Sequence, residues 1–144
     1  MNWASPSMME SSLVRVLVVE DFIPFRTFIR STLATRVNLQ VICEVSDGLE
    51  AVHKAKALRP DLILLDIGLP TLDGMSAARQ ICKFSKSKII FVTQESGADL
   101  IQEALALGAW GYVVKAMAAT DLLTAVDAVC AGRRFVSDGF GSQT

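Results

Sequence analysis

The sequence predicts an α/β fold: a doubly wound sandwich in which five parallel strands carry helices on both faces. Two observations lead there. Short runs rich in β-branched residues alternate five times with longer stretches of helical spacing. The runs are apolar at nearly every position, as strands covered on both faces are, and the intervening lengths suit right-handed crossovers between parallel neighbours.

The first strand is VRVLVV at 14–19. A helix follows over 23–36, with Pro24 in its first turn, where a missing N–H costs nothing. LQVICEV at 39–45 is the second strand, and the helix over 48–58 stops at Arg59-Pro60-Asp61. DLILL at 61–65 is the third strand, followed by a helix over 73–84. KIIFVT at 88–93 precedes a helix over 97–107, and WGYVV at 110–114 precedes one over 119–131. Gly108 and Gly132 stand just past the last two helices, where a helix C-terminus favours glycine. Beyond Gly132 the alternation stops, so 132–144 reads as a tail. Residues 1–12, MNWASPSMMESS, read as a flexible leader without the basic start and apolar stretch of a signal peptide.

Composition narrows the function. The chain of 144 residues is the size of one domain, and its net charge of −1 gives no overall basic footprint for nucleic acid. Half of it is apolar (51%), but in short pieces, none near the ~18 uncharged residues of a membrane span. The three cysteines, Cys43, Cys82 and Cys130, lie apart in apolar surroundings and are expected to be buried, reduced thiols of a cytoplasmic protein. His53, the single histidine, belongs on a solvated helix face beside Lys54 and Lys56.

In an open parallel sheet, sites form at the carboxyl ends of the strands. There the sequence places Glu20-Asp21 after the first strand, Asp66 after the third, Thr93 at the end of the fourth and Lys115 after the fifth. Each alone has a plain alternative, a helix cap, a turn or a surface lysine. Together they gather three carboxylates, a hydroxyl and an ammonium on one edge. Two carboxylates about 4 Å apart repel by about 4 kcal/mol at an effective dielectric of ~20, and one lysine leaves an unbalanced charge. A divalent cation fits that deficit. The donors are hard oxygens, which favours Mg²⁺, or Mn²⁺, over Zn²⁺. Such a site suits phosphoryl transfer with a carboxylate nucleophile, and Asp66, on the expected central strand, is the foremost candidate.

The residues VLVVED at 16–21, LILLDIGLPTLDG at 62–74, IIFVTQES at 89–96 and GAWGYVVKA at 108–116 resemble the receiver domain of bacterial two-component response regulators, of the CheY-like, flavodoxin-like fold. The resemblance spans about residues 13–131 and implies strand order 2-1-3-4-5 with five helices. It implies that Asp66 is the phosphoacceptor, with Asp21, Glu20 (through water), Asp66 and the Gly68 backbone carbonyl around Mg²⁺. Thr93 and Lys115 would bind the phosphoryl oxygens, and Tyr112 would be the aromatic that turns inward when Thr93 shifts. Three positions depart from the family: Glu20 where Asp is commoner, the bulky Gln94 after the switch hydroxyl, and Ala116 where a cis-proline often follows the lysine. The stretch LTAVDAVCAGRRFVSDGF at 123–140 is similar to the exit of the NarL/FixJ subfamily, so 132–144 would begin a linker to a LuxR-type helix-turn-helix output domain outside this chain.

The resemblance implies a sensor histidine kinase as phosphodonor, no turnover beyond autodephosphorylation, a possible homodimer on phosphorylation, and DNA contact only through that output domain. A stand-alone receiver acting by protein contact is the alternative within the family. Two readings from other classes fit less well. An aspartate phosphohydrolase of haloacid-dehalogenase type needs a second aspartate where Gly68 stands, and an FMN-binding flavodoxin would meet Glu20-Asp21 where it needs to cradle phosphate.

Overall fold

The computed structural model describes residues 13–137; the leader at 1–12 and residues 138–144 of the tail lie outside the described residues. The elements are β1 (Val14–Val19), α1 (Ile23–Leu33), β2 (Leu39–Val45), α2 (Gly48–Leu58), β3 (Leu62–Leu65), α3 (Gly74–Cys82), β4 (Lys88–Thr93), α4 (Ala98–Ala106) and β5 (Gly111–Val114). A 3₁₀ turn over Lys115–Met117 then leads into α5 (Ala118–Cys130), and a short β6 (Phe135–Val136) closes the described chain. All neighbouring strands are parallel, in the order β2-β1-β3-β4-β5-β6. The 2-1-3-4-5 order and the five helices are those the sequence implied. The sixth strand is new. What read as a tail from 132 turns back and pairs Phe135 with Gly111 and Val136 with Tyr112.

Strand alternation divides the core in two. Leu17, Val19, Ile63, Leu65, Ile89 and Phe91 face α2, α3 and α4. Val16, Val18, Leu62, Leu64, Ile90 and Val92 face α1 and α5. Every residue of β3 is buried, so this strand is covered on both faces and emerges only at its carboxyl end, where Asp66 follows.

The first helix ends at Leu33 rather than 36, and the chain turns through Arg36, leaving Val37 99% exposed. The cysteines correct the sequence reading. Cys82 and Cys130 are exposed and Cys43 is half-buried; the first two are the last residues of α3 and α5, where a helix end turns away from the core. His53 is exposed, as expected.

Asp73 caps α3: its side chain accepts the Ser76 backbone N–H at 2.9 Å and the Ser76 hydroxyl at 2.9 Å. The backbone bond, more than any other contact, holds the Asp73 carboxyl below its ordinary value. A carboxylate whose value is lowered by folding adds stability that is complete above the unfolded value and is lost as pH falls through the lowered one. Asp73→Ala is therefore expected to cost about 1 kcal/mol at neutral pH, and the cost should close in stronger acid. Urea unfolding at two pH values checks this; an equal cost at both would refute the capping role.

Candidate functional site

Burial of the strands leaves their carboxyl ends as the place where polar side chains emerge together. Glu20 directly follows β1, Asp66 directly follows β3, Thr93 ends β4 and Lys115 follows β5. Glu20 is 1% exposed, Asp66 5% and Thr93 1%, whereas Asp21 turns out to solvent. Carboxylate oxygens of Glu20, Asp21 and Asp66 all lie within 4.8 Å of one another.

Lys115 spans the two buried acids. Its Nζ donates to Asp66 Oδ2 at 3.0 Å and to Glu20 Oε2 at 3.1 Å. It also lies 2.9 Å from Glu20 Oε1, an ion-pair distance without hydrogen-bond alignment. Burial pushes the Glu20 carboxyl above its ordinary value, and the Lys115 bond only partly offsets it. For Lys115 burial acts downward, but the bonds to Glu20 and Asp66 outweigh it and the net shift is upward.

Local backbone fixes the acids. The Glu20 N–H donates to the Val45 carbonyl at 3.0 Å and the Asp66 N–H to the Val19 carbonyl at 3.1 Å, tying three adjacent strand ends together. Asp66 Oδ1 accepts the Ile67 N–H at 2.7 Å and the Gly68 N–H at 3.4 Å. Gly74 lets α3 begin against this loop: a Cβ there would overlap the Asp66 carbonyl oxygen and lie 2.7 Å from Ile67 Cα.

The two switch candidates stand on neighbouring strands. Thr93 Oγ1 accepts the Glu95 N–H at 3.4 Å. The Tyr112 ring is fully buried, and its hydroxyl donates to the Glu95 carbonyl at 2.8 Å, so both residues touch the loop after β4. Burial raises the Tyr112 phenol far above its ordinary value. Gln94 and Ala116 are exposed, and the peptide bonds of the described residues are all trans.

Two neighbours escaped the sequence reading. The Lys115 ammonium sits 4.7 Å from the centre of the Phe25 ring, a cation–π contact from the first turn of α1. Arg26 donates to the Glu20 carbonyl at 2.9 Å and to the Ser46 hydroxyl at 2.5 Å, joining the exits of β1 and β2. Nothing in their spacing marks either residue; a helical face places them. A groove of about 920 Å³ lies at the opposite edge among Lys56, Pro60, Phe84 and Cys130, and is lined by none of Glu20, Asp21 and Asp66.

The donor set fits a hard divalent cation. Glu20 Oε1 has the Lys115 ammonium at 2.9 Å, but that one ammonium stands against three carboxylates whose oxygens face the same space. A small cation would balance the surplus negative charge.

Comparison with known proteins agrees with this geometry. Residues 16–127 match the response regulator receiver domain. The chain is 33% identical over 132 residues to the response regulator GacA of Pseudomonas viridiflava, covering 91% of this chain and 62% of that protein. It is 38% identical over 106 residues to a protein-glutamate methylesterase/protein-glutamine glutaminase of Methanospirillum hungatei, covering 72% of this chain but 31% of that one. It thus spans less than two thirds of either relative. Among solved structures, a LuxR-family two-component response regulator from Aurantimonas sp. superposes with a TM-score of 0.86 at 30% identity, covering 91% of this chain and 94% of the other.

Proposed function

Because the chain belongs to the response regulator receiver domain family of two-component systems, we propose that Asp66 accepts a phosphoryl group and that the modification switches an output. The carrying observation is the Lys115 ammonium bound to both Glu20 and Asp66, with Thr93 at the next strand end. The Asp66 carboxylate forms the new oxygen–phosphorus bond as the bond from phosphorus to the donor breaks. Lys115 then exchanges its bond to Asp66 for one to a phosphoryl oxygen, and the Thr93 hydroxyl donates to another. Glu20, Asp21, Asp66 and the Gly68 carbonyl would hold Mg²⁺, which supplies positive charge against the carboxylates and the phosphoryl oxygens.

A histidine kinase is the proposed donor. The output is proposed to be transcriptional, through a DNA-binding domain; the likeness to GacA and to the LuxR-family structure supports this. The receiver would pair with a second copy on phosphorylation. The methylesterase relatives, matched over the shared segment alone, give a second kind of output that receivers serve.

Acetyl phosphate with Mg²⁺ is expected to add one hydroxylamine-labile phosphoryl group, seen by intact-protein mass spectrometry and absent from Asp66→Asn. A label of equal extent on that variant would sink the assignment.

A further inference from the structure

The last described residues meet the carboxyl end of β5, beyond the family match, which ends at 127. After Gly132 the chain returns to the free edge of β5. Arg134 guides it, donating to the Ala109 carbonyl at 2.5 Å with its guanidinium 4.6 Å from the centre of the Trp110 ring. The Phe135 N–H donates to the Trp110 carbonyl at 3.1 Å, and β6 follows.

Ser137 ends this return. Its N–H donates to the Tyr112 carbonyl at 2.9 Å, the ladder bond of a parallel strand. The next ladder bond is made differently: the Val114 N–H donates to the Ser137 hydroxyl at 3.1 Å. The side chain stands where a continuing strand would offer its carbonyl. Both residues are deeply buried, Ser137 at 1% and Val114 at 3% exposure, so without that hydroxyl the Val114 N–H would have no partner among the described residues.

The two anchored residues matter for what adjoins them. Tyr112 carries the ring that reaches the Glu95 carbonyl, and Val114 directly precedes Lys115, whose ammonium holds Glu20 and Asp66. We infer that Ser137 is a positioning residue of the phosphoryl-responsive site, fixing the carboxyl end of β5 so that Tyr112 and Lys115 meet their partners and the chain after β6 is coupled to the state of the site. The coupling runs both ways: whatever Ser137 contributes to the placement of Tyr112 and Lys115, a phosphoryl group that moves them returns to Ser137. The last step rests on the phosphoacceptor reading; the positional claim does not.

Tyr112 is the sequence's single tyrosine, so 3-fluorotyrosine gives the full chain one ¹⁹F resonance. Without ligand, Ser137→Ala is expected to shift that resonance and to raise its H₂O/D₂O solvent isotope effect toward that of an exposed ring. With Mg²⁺, half-saturation by beryllofluoride, the phosphoryl mimic, should weaken about fivefold, the effect of one neutral hydrogen bond. Ser137→Thr keeps the hydroxyl and should restore both readings; Ser137→Val, of the same shape, should not. An Ala variant with an unchanged resonance and beryllofluoride binding within twofold overturns the inference. So does a Val variant that matches Thr, a comparison that also decides the matter if the Ala variant fails to fold. If the unaltered protein binds no beryllofluoride, the phosphoacceptor reading falls, and the ligand-free resonances still decide for or against Ser137.

Discussion

Replacing Gly74 by alanine is expected to cost about 3 kcal/mol or more of folding stability and to disable the acidic site. The added Cβ would overlap the Asp66 carbonyl oxygen and crowd Ile67 Cα at 2.7 Å. These are backbone atoms of the loop that carries Asp66, so no flexible side chain can swing clear. Either α3 moves away, losing the bond from the Gly74 N–H to the Ile67 carbonyl at 2.7 Å, or the loop moves and takes Asp66 from Lys115. Gly68→Ala is the control: nothing lies within 4 Å of its Cβ position, and its cost should stay within about 0.5 kcal/mol. Urea unfolding of both variants measures the contrast; equal midpoints would mean that the close approach is not needed.

Lys115→Ala should have the second-largest effect, and it should depend on divalent cation. Removing the ammonium leaves Glu20, 1% exposed, and Asp66, 5% exposed, facing each other without their shared counter-charge. Breaking a buried pair from one side is destabilising, and because the Lys115 side chain keeps 15% exposure the cost should fall near the lower end, about 3 kcal/mol without Mg²⁺. A cation that binds the folded form alone adds stability by mass action, and the vacated carboxylates should bind it more tightly. Millimolar Mg²⁺ should therefore recover more stability in Lys115→Ala than in the unaltered protein. Equal recovery would mean that Lys115 and the cation do not share these carboxylates.

The strands and the acidic edge were legible because each rests on one simple rule. Buried parallel strands read as apolar runs, and Asp66, Thr93 and Lys115 stand at or just past the ends of such runs. Environment was harder to read. Lys115 reads as an edge residue; its enclosure by Glu20, Asp66 and the Phe25 ring depends on its side chain reaching from the end of β5 to the ends of β1 and β3, beside the first turn of α1. Tyr112 was expected to turn inward when Thr93 shifts, and the structure places its ring inside already, a rotamer that no sequence pattern specifies. Cys82 and Cys130 have apolar sequence neighbours but fall on the final residues of their helices. Phe135-Val136 is too short to alternate and stands beside Arg133-Arg134; the free edge of β5, not the local sequence, makes it a strand.

The strand order also carries a history of assembly. β2 lies on one side of β1, and from β3 onward each strand joins the opposite side in the order in which it is written: β3, β4, β5, β6. For a chain leaving the ribosome amino-terminus first, β3 meets the open side of β1 and each later strand meets the edge its predecessor has just formed, so none must be threaded between two earlier ones. Synthesis and sheet growth run in the same direction. Among the described residues Ser137 comes last in this order, latching the edge that β5 presents.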